Sequence, residues 1–116
     1  MKLPREALLL RIFFGEEDKT GGKPLYEEIV LKARDMGMAG ATVIHGFMGF
    51  GAASRIHTSK LLRLSEDLPV IVELVDREER IRAFLPHLDS MMQSGLITLE
   101  RVEIINYGGD KNLIEE

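Results

Sequence analysis

Gly46-Phe47-Met48-Gly49-Phe50-Gly51 comes nearest, in residue type and spacing, to a binding site. Glycines so closely spaced let the backbone reach positive φ and let other groups approach it. Free N–H groups in such a turn can cradle an anion such as phosphate. Phe47 and Phe50 have faces on which a base could stack. Arg55 and His57 follow, and Arg55 is the nearby side chain able to make a bidentate contact to an anion. The spacing is not the dinucleotide fingerprint, and no Gly-Lys-Ser/Thr of a phosphate loop is present. A plain turn between two strands also accounts for the glycines. The candidate ligand residues are therefore Gly46, Phe47, Gly49, Phe50, Gly51, Arg55 and His57, with an anion or nucleotide as the ligand class.

Catalysis has less support. Ser54, Thr58, Ser59 and Ser65 lie near His57, Glu66 and Asp67, but no Gly-x-Ser-x-Gly elbow presents a nucleophile. No general base sits beside a plausible nucleophile, so no catalytic residue is assigned and no enzyme is expected. His45, His57 and His87 lack adjacent carboxylates, a weak pattern for a metal. The chain has no cysteine, which rules out disulfides, thiolate-ligated zinc and thiol catalysis.

The elements that hold these residues belong to one small domain, residues 1–116 of a 116-residue chain. The formal net charge is −4, which argues against general nucleic-acid binding. Residues 1–58 carry +1 and residues 59–116 carry −5, summing to that value. Residues 36–54 contain no Lys, Arg, Asp or Glu, so this stretch is expected to be buried or reserved for a ligand or partner. No apolar run approaches the length of a membrane span. Lys2, Pro4, Arg5 and Glu6 do not suit a signal peptide, and a cytoplasmic protein is expected.

Ala7-Leu8-Leu9-Leu10-Arg11-Ile12-Phe13-Phe14 predicts a first strand, apolar on both faces apart from Arg11. Tyr26, Ile29, Val30, Ala33 and Met36 recur at helical spacing after Pro24, and Gly37 and Gly40 stop that helix. Ala41-Thr42-Val43-Ile44-His45 predicts a second strand, and Pro69 opens a third through Val75. A connecting loop spans about 46–68. Asp76 and Glu79 form a capping-box pattern, predicting Asp76 as the cap of a second helix. Ile81, Phe84, Leu85, Leu88 and Met91 line that helix, and Pro86 within it predicts a kink. In the fourth strand region Ile97 and Leu99 are odd-numbered while Val102 and Ile104 are even, which predicts a bulge, or two short strands, near Glu100-Arg101. The polar tail, 108–116, is expected to be partly loose.

The order β-α-β-β-α-β predicts an α+β, ferredoxin-like fold, with two helices on one face of a four-stranded antiparallel sheet. Strands one and three are apolar on both faces, yet helices cover one face only. Another copy of the chain is the simplest cover for the second, so a homo-oligomer is expected.

A family resemblance rests on Gly22-Lys23-Pro24-Leu25-Tyr26-Glu27, Gly37-Met38-Ala39-Gly40-Ala41-Thr42-Val43, the Gly46–Gly51 motif, Arg55-Ile56-His57-Thr58 and Leu64-Ser65-Glu66-Asp67-Leu68-Pro69-Val70. Over about residues 3–107 the chain resembles the DUF190 (UPF0166) family of uncharacterised proteins. By a weaker likeness it is similar to the PII signalling proteins. That resemblance implies a homotrimer, an adenine nucleotide held in clefts between subunits, and a regulated protein partner contacted through the loop between strands two and three. Ser94-Gly95-Leu96-Ile97-Thr98 takes the place of the Gly-Asp-Gly-Lys of PII proteins, and Lys111 is the one basic residue in the tail. The ligand so implied is a small, weakly charged adenylyl compound. The alternative is a ligand-free interaction or scaffold module.

Overall fold

The computed structural model describes residues 2–51, 67–109 and 111–115. In chain order its elements are β1 (Leu3–Pro4), β2 (Glu6–Gly15), β3 (Lys19–Thr20), β4 (Lys23–Pro24), α1 (Leu25–Asp35), β5 (Ala41–His45), β6 (Pro69–Asp76), α2 (Glu78–Met91), β7 (Leu96–Glu103), a 3-10 turn at Lys111–Leu113, and β8 (Ile114–Glu115). The main sheet has four antiparallel strands in the order β5-β6-β2-β7. Two short pairs lie outside it, β3 with β4 and, in parallel, β1 with β8. The expected ferredoxin-like plan is the observed one.

Strand alternation divides the apolar residues between two faces. Leu8, Leu10, Ile12 and Phe14 of β2, with Val70, Val72 and Leu74 of β6, meet Leu25, Ile29 and Ala33 of α1 and Ile81, Phe84 and Leu88 of α2. Each such large side chain contributes ~1.5–3 kcal/mol by burial, so this layer holds most of the stability. Gly37, at φ 71°, turns the chain out of α1. Gly95, at φ 129°, lies so close to the backbone of Phe13 that a Cβ would stand 2.7 Å from the Phe13 carbonyl oxygen. Only glycine fits both the angle and the space there.

Two sequence expectations are corrected. The expected bulge at Glu100-Arg101 is absent: β2 and β7 keep one unbroken register from Glu6–Glu103 to Phe13–Leu96. The parity changes because the apolar residues of the two halves stand on different faces. Ile97 and Leu99 lie on the helix side opposite Ile12 and Leu10, whereas Val102 and Ile104 pack on the other face with Leu3, Ala7 and Ile114. The cap of α2 is Arg77, not Asp76. Asp76 is fully buried as the last residue of β6, and its carboxylate accepts the N–H of Ala39 at 3.0 Å and of Arg77 at 2.7 Å. Within the tail, Ile114 is buried and β8 pairs with β1. The helix α2 continues through Pro86 to Met91.

The face without helices is ordered in rows that cross the strands. Ile44, Ile71, Phe13 and Leu96 stand in register across all four strands as one apolar row. The next row is polar: Thr42, Glu73, Arg11 and Thr98. Arg11 Nε donates to Glu73 at 2.8 Å, and its guanidinium lies 3.5 Å from Glu100. Those carboxylates raise the Arg11 pKa, with the Glu73 hydrogen bond the largest cause. Beyond that row the face is apolar again at Leu9, Val75, Ala7 and Val102, and there the C-terminal segment lies over it.

Candidate functional site

The glycine and phenylalanine motif begins where β5 ends, and of the two uses expected of its glycines it shows one. Gly46, Gly49 and Gly51 do not adopt positive φ. Two of them are needed for close approach. A Cβ on Gly46 would stand 2.7 Å from Pro69 Cγ, and one on Gly49 would stand 3.0 Å from the same atom. The Gly46 N–H also donates to the Pro69 carbonyl at 2.7 Å. The start of the loop is thus folded against the first residue of β6. With its backbone held inward, the motif turns its large side chains outward: Phe47 is 87% exposed, Met48 64% and Phe50 74%.

The other foot of the loop is tied down by the turn after β2. The Glu16 N–H donates to the Leu68 carbonyl at 2.8 Å, and the Glu17 N–H donates to Asp67 Oδ1 at 3.0 Å. Gly15 makes room for this, because a side chain there would overlap the Asp67 carboxylate. Burial pushes the Asp18 carboxyl above its ordinary range, the negative charge of Asp67 adds to the rise, and a backbone hydrogen bond at Gly15 works against it. His45 sits at the first foot, edge-on to the Tyr26 ring at 5.2 Å, with Nδ1 4.0 Å from a Glu16 oxygen.

The structure therefore brings Gly46 and Gly49 against Pro69, turns Phe47 and Phe50 outward, and leaves Gly51 at the outer end of the described segment. Arg55 and His57 lie outside the described residues, as do Ser54, Thr58, Ser59, Ser65 and Glu66. Among the described residues no group of three His, Asp or Glu side chains could hold a metal ion. None of the described helices is long and apolar enough to cross a membrane.

Sequence reasoning missed Gly15, Asp67 and Pro69, which fix the loop's feet. A proline opening a strand opposite a glycine was a readable signal, but the pairing that joins them is long-range. It also treated Arg11 as an isolated charge in an apolar strand. Its partners Glu73 and Glu100 become neighbours only once the register is set.

A second concavity of about 680 Å³ lies on the open face at the opposite end of β5. Gly40, Thr42, Glu73 and Val75 form its sheet side, and residues 102–107 form the other wall. Among the described residues no Lys, Arg or His lines it, so it is poorly suited to a phosphate.

Comparison with solved structures matches this arrangement to PII-like proteins. A putative PII-like signalling protein from Thermus thermophilus superposes with a TM-score of 0.58, at 19% identity, over 90% of this chain and 93% of that one. CPII from Thiomonas intermedia K12, bound to ADP and bicarbonate, gives a TM-score of 0.57 at 16% identity over 85% of this chain and 88% of that one. At such identities the likeness is one of fold. Sequence relatives are nearer. A UPF0166 protein of Aquifex aeolicus (strain VF5) is 43% identical over 97 residues, covering 84% of this chain and 91% of the relative. A UPF0166 protein of Methanocaldococcus jannaschii is 38% identical over 95 residues, covering 81% and 87%. The family model for DUF190, described as Uncharacterized ACR, matches residues 7–104, nearly the whole of the sheet and both helices. By that match and by these relatives, the chain belongs to the DUF190 family.

Proposed function

We propose that this chain is a cytoplasmic, non-enzymatic, PII-like regulatory protein. In this reading it assembles through its open sheet face into a homotrimer and binds a small adenylyl nucleotide in a cleft between subunits, beside residues 46–51. It then passes its ligand state to a protein partner through the loop between β5 and β6.

The observation that carries this reading is the loop's base. Its backbone is held at both feet while Phe47, Met48 and Phe50 point into solvent. Exposed aromatic side chains on a rigid base are suited to stacking on a base or packing on a partner. The apolar row Ile44, Ile71, Phe13 and Leu96 ends at this same end of the sheet, so a second copy covering the row would wall the loop base on one side. Fold neighbours bound to ADP, or to ADP, AMP and acetate, support an adenine nucleotide as the ligand class. Arg55 is the candidate phosphate contact, and His57 completes the candidate set.

Thermal unfolding with AMP, ADP and ATP tests the proposal. A ligand present at 100 times its Kd adds ~2.7 kcal/mol of stability. Calorimetry with the nucleotide that shifts the transition most should show R55A binding more weakly by ~1.5–3 kcal/mol. The nucleotide should be recovered unchanged. If no nucleotide raises the transition, the loop base serves protein contact alone and the ligand-free interaction reading replaces this one.

A further inference from the structure

The C-terminal segment is held to the sheet by a closed circuit of polar contacts that the ligand and loop roles do not use. Tyr107 donates its hydroxyl to the Ala39 carbonyl at 2.8 Å. The N–H of Ala39 donates to Asp76 Oδ2 at 3.0 Å, and Asp76 Oδ1 accepts the Arg77 N–H at 2.7 Å. Arg77 Nη2 then donates to the Lys2 carbonyl at 2.8 Å and to Glu115 at 2.7 Å. The chain of contacts leaves the segment at Tyr107, passes through a fully buried carboxylate, and returns to the segment at Glu115.

The apolar packing under this segment is small. Ile104 and Ile114 pack with Leu3 and Ala7 in a cluster separate from the core between sheet and helices. The backbone contributes the bond from the Ile104 N–H to the Arg5 carbonyl at 2.7 Å and the two-residue ladder of β1 with β8. Along Asn106 and Tyr107 the segment does not seal onto the sheet, because the concavity of about 680 Å³ lies between them and Thr42, Glu73 and Val75. A unit with a small apolar cluster, a short ladder and a hollow beside it opens at lower free energy than the central strands.

We propose that residues 104–109 and 111–115 form a strap that lifts off the open face as a unit. Asp76 positions both clasps, Tyr107 through Ala39 and Glu115 through Arg77. Lifting uncovers Ala7, Leu9, Val75 and Val102 and lengthens the apolar surface of that face. The added surface goes to a second copy of the chain, a consequence that rests on the assembly reading above.

Amide hydrogen exchange on the full chain, compared among wild type, Y107F and E115A, tests the strap. Loss of either clasp should speed exchange at Ile104, Ile114 and Glu115 about tenfold, while Leu10, Ile12 and Val72 keep their rates. Those core amides report in the same experiment that the variants are folded. Unchanged strap rates in both variants would overturn the proposal, and so would strap and core amides accelerating together. Light scattering on the same samples separates the two readings. Tighter self-association in the variants supports docking of a second copy. Faster strap exchange with no change in association removes the second copy and leaves the strap standing.

Discussion

The two faces of β2 are built from one run of ten residues and are held by different means. On the helix side Leu8, Leu10, Ile12 and Phe14 meet complementary rows from both helices, and the cluster they form is apolar. On the open side Leu9, Arg11 and Phe13 alternate an apolar end, an ionic row and another apolar end. The first face is closed within the chain. The second has a strap at one end, an ion pair in the middle and an uncovered row at the other. A strand apolar on both faces therefore does not show that its own chain covers both.

The largest expected effect tests the closed face. Phe84→Ala removes a fully buried ring from α2 and should lower the unfolding free energy by ~3–5 kcal/mol in urea titrations, whatever the protein concentration. A cost that depended strongly on concentration would show the helix side to be part of an assembly contact as well.

The next test takes the open face. Phe13→Asp puts a charge into the middle of the apolar row without touching the helix-side core. The scattering mass should fall to that of one 13.1 kDa chain while the far-ultraviolet circular dichroism is unchanged. An assembly that survives the substitution would mean that copies meet elsewhere.

Both faces were partly legible in the sequence. The helix-side core followed from periods of 2 and 3.6 in segments of unmixed character, and Ile29, Phe84 and Leu88 fell where their spacing put them. The reading failed where one element answers to two neighbours. The change of parity in β7 looked like a bulge because one apolar face was assumed along the whole strand, whereas Ile97 and Leu99 stand, still exposed, on the helix side and Val102 packs on the other face. Asp76 looked like a helix cap because Glu79 stands at the right distance, but the side chain turns to Ala39, a residue 37 positions away. Of the candidate site, the motif was visible from its glycines, yet the reason for them was not. Their closeness to Pro69 is tertiary, and no local pattern encodes it.

A smaller effect distinguishes the two ends of β5. Gly46→Ala drives a methyl group into Pro69 and should cost ~1–3 kcal/mol in chemical denaturation. Gly40→Ala, at the other end, meets nothing within 4 Å and needs no positive φ. It should be neutral or stabilise by up to ~1 kcal/mol. Equal costs would mean that the loop foot is not fixed by Pro69.

The smallest effect concerns charge beside the far foot. Asp18 is held above its ordinary range by burial and then by Asp67, so the folded chain binds the proton more tightly than the unfolded chain does. Its ionised form is a destabilising element, fully present above the raised folded value and absent below the ordinary aspartate range. Asp18→Asn should therefore raise the melting temperature at neutral pH, by an amount equivalent to less than about 1 kcal/mol because the site is partly open to water. The gain over wild type should shrink to nothing as the pH falls through that window. A gain that stays constant with pH would assign the effect to packing rather than charge.

The edge strand β7 has a consequence for the chain in concentrated solution. Its first half, Leu96-Ile97-Thr98-Leu99, is uncharged, rich in β-formers and exposed, while its second half carries Glu100, Arg101 and Glu103. An unpaired edge of the first kind is a template on which another strand can add, and repeated addition is the start of a fibril. Flanking charges oppose that growth by repulsion. Glu100 thus serves twice, once as a partner of Arg11 and once as a guard on an aggregation-prone edge. Acidified, crowded solutions, where carboxylates lose their charge, are where cross-β material from this strand would first appear.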